Sequence, residues 1–362
     1  MLSLETTFKT CSRQSALVLL GLVVISIALL VAVSFGTHPP AGAADAQSGD
    51  LALYQRIVDR LRHGEAYYPA AHAELLAGDY PTLSVFNWRT PLLLSLVALA
   101  PSDGVAQAFF AAVAAAAGAL VVLLFKRQGN ALLIAAVLVA LCVSLATVAT
   151  PQTVLFGEVV AGVLILGSLT LYGLERPSTG MLLALAALFC RELAAPYVLL
   201  CLALAIGHRR WAELALGLAG VLGFAAYFWL HAQAVWAQLG PADVNDAGGW
   251  LTIGGLWFAL TTAAFNGFFM IGPLWVSALV LPLGLLGLFA FPAGVRMGLV
   301  AAGYVLLFDF IGKPFNDYWG AMYTPLLALG LAWAPFALRD LVQAVRVPRA
   351  TPVLASDAPH RL

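Results

Sequence analysis

Gly180-Met-Leu-Leu-Ala-Leu-Ala-Ala-Leu-Phe-Cys-Arg191-Glu192-Leu-Ala-Ala-Pro196-Tyr-Val-Leu-Leu-Cys-Leu-Ala-Leu-Ala-Ile-Gly207 is the tract whose reading decides the topology. It is apolar throughout except at Arg191-Glu192, with Pro196 just beyond. Arg176 lies before it and His208-Arg209-Arg210 after it, so both flanks read as cytoplasmic by the positive-inside rule. One long span would put those flanks on opposite sides. Two short half-helices with a tip at Arg191-Glu192 put them on the same side. Broken helices at membrane depth are tolerated where they face protein or a cavity, so the tip is expected to face one.

Working outward, the rest of the chain has the same character. Of its 362 residues, 62% are hydrophobic and 10% are charged, against about 25% charged in a soluble domain. Apolar runs of membrane-spanning length recur. Eighteen basic and eighteen acidic residues cancel, which gives no footprint for nucleic acid. Cys11, Cys142, Cys190 and Cys201 fall outside the expected external loops and read as small apolar residues, not as a disulfide framework.

The run from Ser15 to Phe35 follows Lys9 and Arg13, which places the N-terminus in the cytoplasm. Ala41-Gly-Ala43 resembles a cleavage site, but the run is longer than a signal h-region, so an uncleaved anchor is expected. Further spans are expected at 105–125, 131–149, 153–174, 212–230, 270–291, 297–311 and 320–338. The fold class is therefore an all-α integral membrane bundle with about eight full spans plus the broken hairpin. Residues 1–338 form one transmembrane domain, and 339–362 a disordered cytoplasmic tail. Both termini are cytoplasmic, and the expected location is an inner or plasma membrane.

Two external segments interrupt the bundle, at 36–90 and 231–269. In the first, Leu51, Leu53, Ile57, Val58 and Leu61 fall on helical spacing, which predicts an amphipathic helix on the membrane surface, ended by Gly64. Residues 69–76 form a second short helix, and 91–100 is apolar but too short to span. In the second segment, residues 254–269 are expected to lie in the interface, where Trp is favoured.

Several residues could carry chemistry. Glu158, Arg191, Glu192 and Asp309 lie in or near apolar tracts, and each charge would cost roughly 2.5–3.5 kcal/mol at the bilayer centre. They must be paired or line a wet cavity. A buried pair such as Glu158 with Arg191 is one reading, and a polar cavity open to the external face is the other. Asp50 precedes the amphipathic helix and could be its N-cap, a catalytic group, or both. Tyr54, Tyr67 and Tyr68 suit interface anchoring or a sugar-binding surface. Arg89 suits snorkelling or phosphate binding. His63 and His72 lack metal-ligand spacing, and no phosphate-binding or hydrolase motif occurs.

The first loop, with Gly49-Asp50-x-x-x-Tyr54, Gly64 and Tyr67-Tyr68 behind one span, resembles the GT-C glycosyltransferases, and among them the mannosyltransferase-like families that use polyprenol-phosphate sugars. Phe156-Gly157-Glu158 continues the resemblance, where such proteins often have Gly-Gln, and so does 180–211, with Arg191-Glu192 in place of Lys-Pro. Trp88-Arg89-Thr90-Pro91 stands where Pro-Pro is usual. The resemblance implies that Asp50 is catalytic and that a sugar leaves a lipid phosphate carrier on the external face. Asp50 would accept the proton of the acceptor hydroxyl. Arg89, Arg191 and Lys313 would stabilise the leaving phosphate. Tyr54, Tyr67 and Tyr68 would pack against the sugar or acceptor, with Glu158 and Glu192 in the same binding region. The sequence names no cofactor; a divalent metal held partly by Asp50 stays open, without a second clear ligand. The rival class is a transporter, or a lipid-handling or assembly protein without chemistry, with Arg191-Glu192 as its binding site.

Overall fold

The computed structural model describes residues 4–36, 49–128, 130–150, 152–245, 252–311, 313 and 315–346. Among them there is no strand, and the chain is a helical bundle. The helices are α1 (Arg13–Ser34), α2 (Asp50–Arg62), α3 (Tyr67–Ala77), α4 (Pro91–Leu99), α5 (Asp103–Lys126), α6 (Ala131–Ser144) and α7 (Gly157–Gly173). Then come α8 (Pro177–Cys190), α9 (Ala195–Gly207), α10 (Trp211–Trp236), α11 (Gly255–Ala264), α12 (Leu274–Ala290), α13 (Val295–Phe310) and α14 (Thr324–Arg346).

Five helices among the described residues are long and apolar enough to cross a bilayer: Arg13–Ser34, Asp103–Lys126, Ala131–Ala149, Trp211–Trp236 and Thr324–Arg346. These properties make the chain a multi-pass membrane protein. The other three expected spans are present as α7, α12 and α13, of 17, 17 and 16 residues. At 1.5 Å per residue such helices run about 25 Å, short of a roughly 30 Å hydrocarbon core. Part of the spans expected at 153–174 and 270–291 is instead taken up by 3-10 segments, Thr153–Leu155 before α7 and Gly267–Ile271 before α12.

The core forms around α14, whose Trp333, Leu327 and Leu329 are fully buried. Gly284, Gly287 and Gly330 bring the α12 and α14 backbones together, as small residues do where helices meet in lipid. By contrast α1 buries few residues and turns Leu17, Val18, Leu22 and Val24 outward. Such exposure suits hydrocarbon, which rewards apolar surface.

The tract 180–207 is broken where the charges fall. Helix α8 ends at Cys190, Arg191 is extended, a 3-10 turn covers Glu192–Ala194, and α9 starts at Ala195 with Pro196 in its first turn. The two halves fold back on each other. Ser168 of α7 bonds both Gly180 of α8 and Tyr197 of α9, and both Met181 and Leu202 pack on Gly217 of α10. The tip instead lies beside the first turn of α7, where Gly157 faces Cys190 and Arg191.

Three expectations differ from what is observed. The apolar face of α2 does not rest on a membrane surface: Leu53, Ile57 and Val58 are buried, and the helix packs on α3 and α4. The hydrophobic pattern is the same whether lipid or protein covers the face. Residues 254–269 do not all lie at a surface: α11 is packed into the bundle, while the 3-10 segment Gly267–Ile271 buries none of its residues. In α11, Phe258, Ala259, Leu260 and Ala263 are buried among α12, α13 and the turn Asp317–Met322. Residues 231–236 continue α10, and His231 lies against Tyr68 of the first external segment. The chain is helical, not disordered, from 339 to 346. There Leu341 is buried, the Arg339 guanidinium donates to the Leu4 carbonyl, and the Thr6 hydroxyl donates to Asp340 at 2.7 Å. The cleavage-like Ala41-Gly-Ala43 and the tail 347–362 lie outside the described residues.

Candidate functional site

Asp50 occupies the first turn of α2, where a carboxylate is favoured by the helix dipole. The N-cap is Gly49, and no side chain caps this helix, so the capping role expected for Asp50 is not observed. Its carboxylate is instead held by two phenols. Tyr318 donates to Oδ2 at 2.7 Å and Tyr80 donates to Oδ1 at 3.1 Å. Burial, with Asp50 adding to it, raises the Tyr80 hydroxyl above the ordinary tyrosine range. Burial raises Tyr318 too, against an opposing effect of Arg89. Both phenols therefore remain protonated donors, and they fix the plane of the carboxylate.

Tyr54 lies one turn further along α2, on the same face as Asp50. Its hydroxyl accepts from Arg89 Nε at 2.7 Å. Arg89 sits just before Pro91, which opens α4, and its carbonyl accepts from Tyr67 at 2.5 Å. Its Nη2 donates to Tyr318 Oη at 3.3 Å and lies 3.4 Å from Glu158 Oε1. Tyr318 thus accepts from Arg89 while donating to Asp50. Glu158, in the first turn of α7, is fully buried and pairs with Arg191 Nε at 2.7 Å. Arg191 also pairs with Glu192. The expected ion pair of Glu158 and Arg191 is therefore present, as one link in a longer chain of charges.

Close packing places Tyr318. It belongs to the 3-10 segment Asp317–Met322. A Cβ on Gly162 of α7 would meet the Ala321 carbonyl at 2.0 Å, and a Cβ on Gly320 would meet the Thr262 carbonyl of α11 at 1.8 Å. The turn is therefore clamped between two helices, and only glycine fits at either contact.

These groups line a cavity of about 300 Å³, with Asp50, Tyr54, Tyr80, Asn87, Arg89, Lys313, Asn316 and Tyr318 supplying its polar wall. Partial burial lowers the Lys313 ammonium from its ordinary range. Beside it lies a larger apolar cavity of about 460 Å³, lined by Phe86, Phe224, Phe228, Leu307 and Ile311 and bordered by Arg191 and Glu192. Phe86 borders both.

Of the residues singled out from the sequence, Asp50, Tyr54, Arg89 and Lys313 line the polar cavity. Arg191 and Glu192 line the apolar one, and Glu158 lies behind Arg89 and Arg191. Tyr67 and Tyr68 line neither of these two cavities. Tyr67 is buried and holds Arg89 by its carbonyl; the Tyr68 hydroxyl lies 3.2 Å from His231 Nδ1. Asp309 is not a lining residue of either cavity. Sequence reasoning missed Tyr80, Tyr318 and Asn316. Among the described residues, no three His, Cys, Asp or Glu side chains are grouped closely enough to hold a metal ion.

No protein-family model, curated protein or solved structure matches this chain.

Proposed function

We propose that this protein is a membrane glycosyltransferase of GT-C type that moves a sugar from a polyprenyl-phosphate carrier to an acceptor on the external or periplasmic face. The observation that carries this reading is the adjacency of the two cavities. A lipid-linked sugar phosphate needs a polar site with a carboxylate and cations directly beside an apolar channel for its chain. Asp50, Arg89 and Lys313 offer the first, and Phe224, Phe228, Leu307 and Ile311 the second.

In this reading the acceptor hydroxyl attacks the anomeric carbon while its proton passes to Asp50. The new bond is oxygen to carbon. The bond that breaks joins the anomeric carbon to the phosphate oxygen, which leaves with the electron pair. Charge grows on that phosphate, and Lys313 and Arg89 on the polar side, with Arg191 at the junction, oppose it. The same reading takes α7, α12 and α13 as crossing the membrane with their flanking turns, which makes eight crossings plus the α8–α9 hairpin. The membrane is the inner or plasma membrane, with both termini cytoplasmic.

The broken hairpin would also suit a carrier of lipid phosphates that performs no chemistry. A transfer assay with two donors separates the readings. A sugar phosphate carrying an isoprenoid chain should be used at far lower concentration than the same sugar phosphate without one, since each buried CH₂ contributes about 0.8 kcal/mol. Equal use of the two donors would remove the apolar cavity from the mechanism, and no transfer with either would favour the carrier.

A further inference from the structure

At the end of the bundle away from Asp50, a second polar cavity of about 360 Å³ opens between the α7–α8, α9–α10 and α12–α13 connections. Arg296 and Tyr172 form its floor, and His208 and Arg210 stand at its exposed side. The Arg296 guanidinium stacks on the Tyr172 ring at 3.8 Å from the centroid. Behind this wall lies Glu213, 1% exposed, with its oxygens 3.7 Å from an Arg210 nitrogen and 3.9 Å from an Arg296 nitrogen.

Hydrogen bonding here is incomplete. Arg296 Nη1 is buried and makes no hydrogen bond, while the Tyr172 hydroxyl is turned toward Glu213 and Cys201. Buried polar atoms are nearly always satisfied, and an unpartnered guanidinium nitrogen on a residue that lines a cavity is a donor for a ligand or ordered solvent. The chemistry is set by what the wall offers. Two guanidinia share one carboxylate at distances too long for hydrogen bonds, so Glu213 holds them apart without consuming their donors. With the His208 ring, the two arginines make the wall rich in donors. Glu175, the one acid lining the cavity, is exposed. Paired arginines with free donors suit a phosphate, which accepts several charge-assisted hydrogen bonds.

We infer that this cavity is a binding site for a phosphate group, distinct from the Asp50 site. Val295 and Leu299 line its outer part and are themselves exposed. A basic pocket so placed between helix ends suits the headgroup of a membrane phospholipid. A soluble phosphate ester shares the same recognition chemistry.

The test is native mass spectrometry of the purified full-length protein titrated with three probes. These are dimyristoyl phosphatidylglycerol, dimyristoyl glycerol without phosphate, and glycerol 3-phosphate without chains. The first should bind and the second should not. Binding of glycerol 3-phosphate as strong as that of the lipid would keep the phosphate site and assign it to a soluble ester. Arg296→Gln should weaken the first binding event about tenfold, the loss expected for one charge-assisted hydrogen bond. Arg210→Ala, at a side chain 42% exposed, should act the same way in protein whose thermal unfolding shows that it is folded. Glu175→Gln should tighten binding. Lys126→Gln, exposed at the C-terminus of α5, reports non-specific attraction and should change nothing. Equal binding of the phosphate-free lipid, or equal effects of Lys126→Gln and Arg210→Ala, would overturn the site.

Discussion

Glu158 is the side chain on which two arginines converge, Arg191 from the hairpin tip and Arg89 from the first loop. Removing one partner of a buried pair leaves the others uncompensated, at a cost of about 3–5 kcal/mol. Glu158→Gln should therefore lower the thermal unfolding midpoint of the purified protein markedly, although its shape is kept. An unchanged midpoint would show that Arg89 and Arg191 find their anion elsewhere. Tyr318→Phe is a milder change. It removes one of the two hydrogen bonds to Asp50 and one acceptor of Arg89, and leaves the ring packed on Phe156. Folding should survive and transfer should fall about tenfold, the value of one hydrogen bond to a charged group. The charged residues of this site were legible in the sequence, because a charge in an apolar chain is costly and must be used. The tyrosines were not. Tyr54, Tyr67 and Tyr68 read as interface anchors or a sugar-binding surface, Tyr80 and Tyr318 were not singled out, and only the folded backbone tells that these last two reach Asp50. The role of Asp50 was ambiguous for a related reason, since an acid before a helix can cap it or face a cavity, one residue of register apart.

At the scale of elements, the break in 180–207 was legible because Arg191, Glu192 and Pro196 cannot continue an apolar helix in lipid. The depth of α11 was not. Gly and Trp suit the membrane interface, but glycine also allows close backbone contact, and Gly320 makes that contact possible from the far end of the chain. The dependence can be tested. Gly320→Ala would force its Cβ onto the Thr262 carbonyl and push the Asp317–Met322 turn off α11, carrying Tyr318 with it. Transfer should be lost, with an added decrease in unfolding midpoint. Gly21→Ala, where a Cβ meets nothing within 4 Å, should leave both unchanged. Normal transfer by Gly320→Ala would mean that the turn does not position Tyr318.

At the scale of the whole molecule, the polar cavity and the α7–α8 and α9–α10 connections lie at opposite ends of the bundle. By the distribution of basic residues, the proposed topology has the first outside and the second inside. In a protein with its four cysteines replaced, Glu65→Cys should react with an impermeant thiol reagent in spheroplasts, and His208→Cys only after permeabilisation. Both positions are exposed. The reverse pattern would invert the topology and put the cavity on the wrong face for a carrier-borne sugar. The most direct test of the proposed activity is release of polyprenyl phosphate from a radiolabelled polyprenyl-phosphate hexose by the purified protein and by its Asp50→Asn variant. Asn keeps the size of the side chain, so the variant should fold as the wild type does. The expected result is acceptor-dependent release by the wild type and a fall of about 10²–10⁴-fold in the variant, the usual contribution of a general base. Equal release by the two proteins, or none by a well-folded wild type, would contradict the assignment.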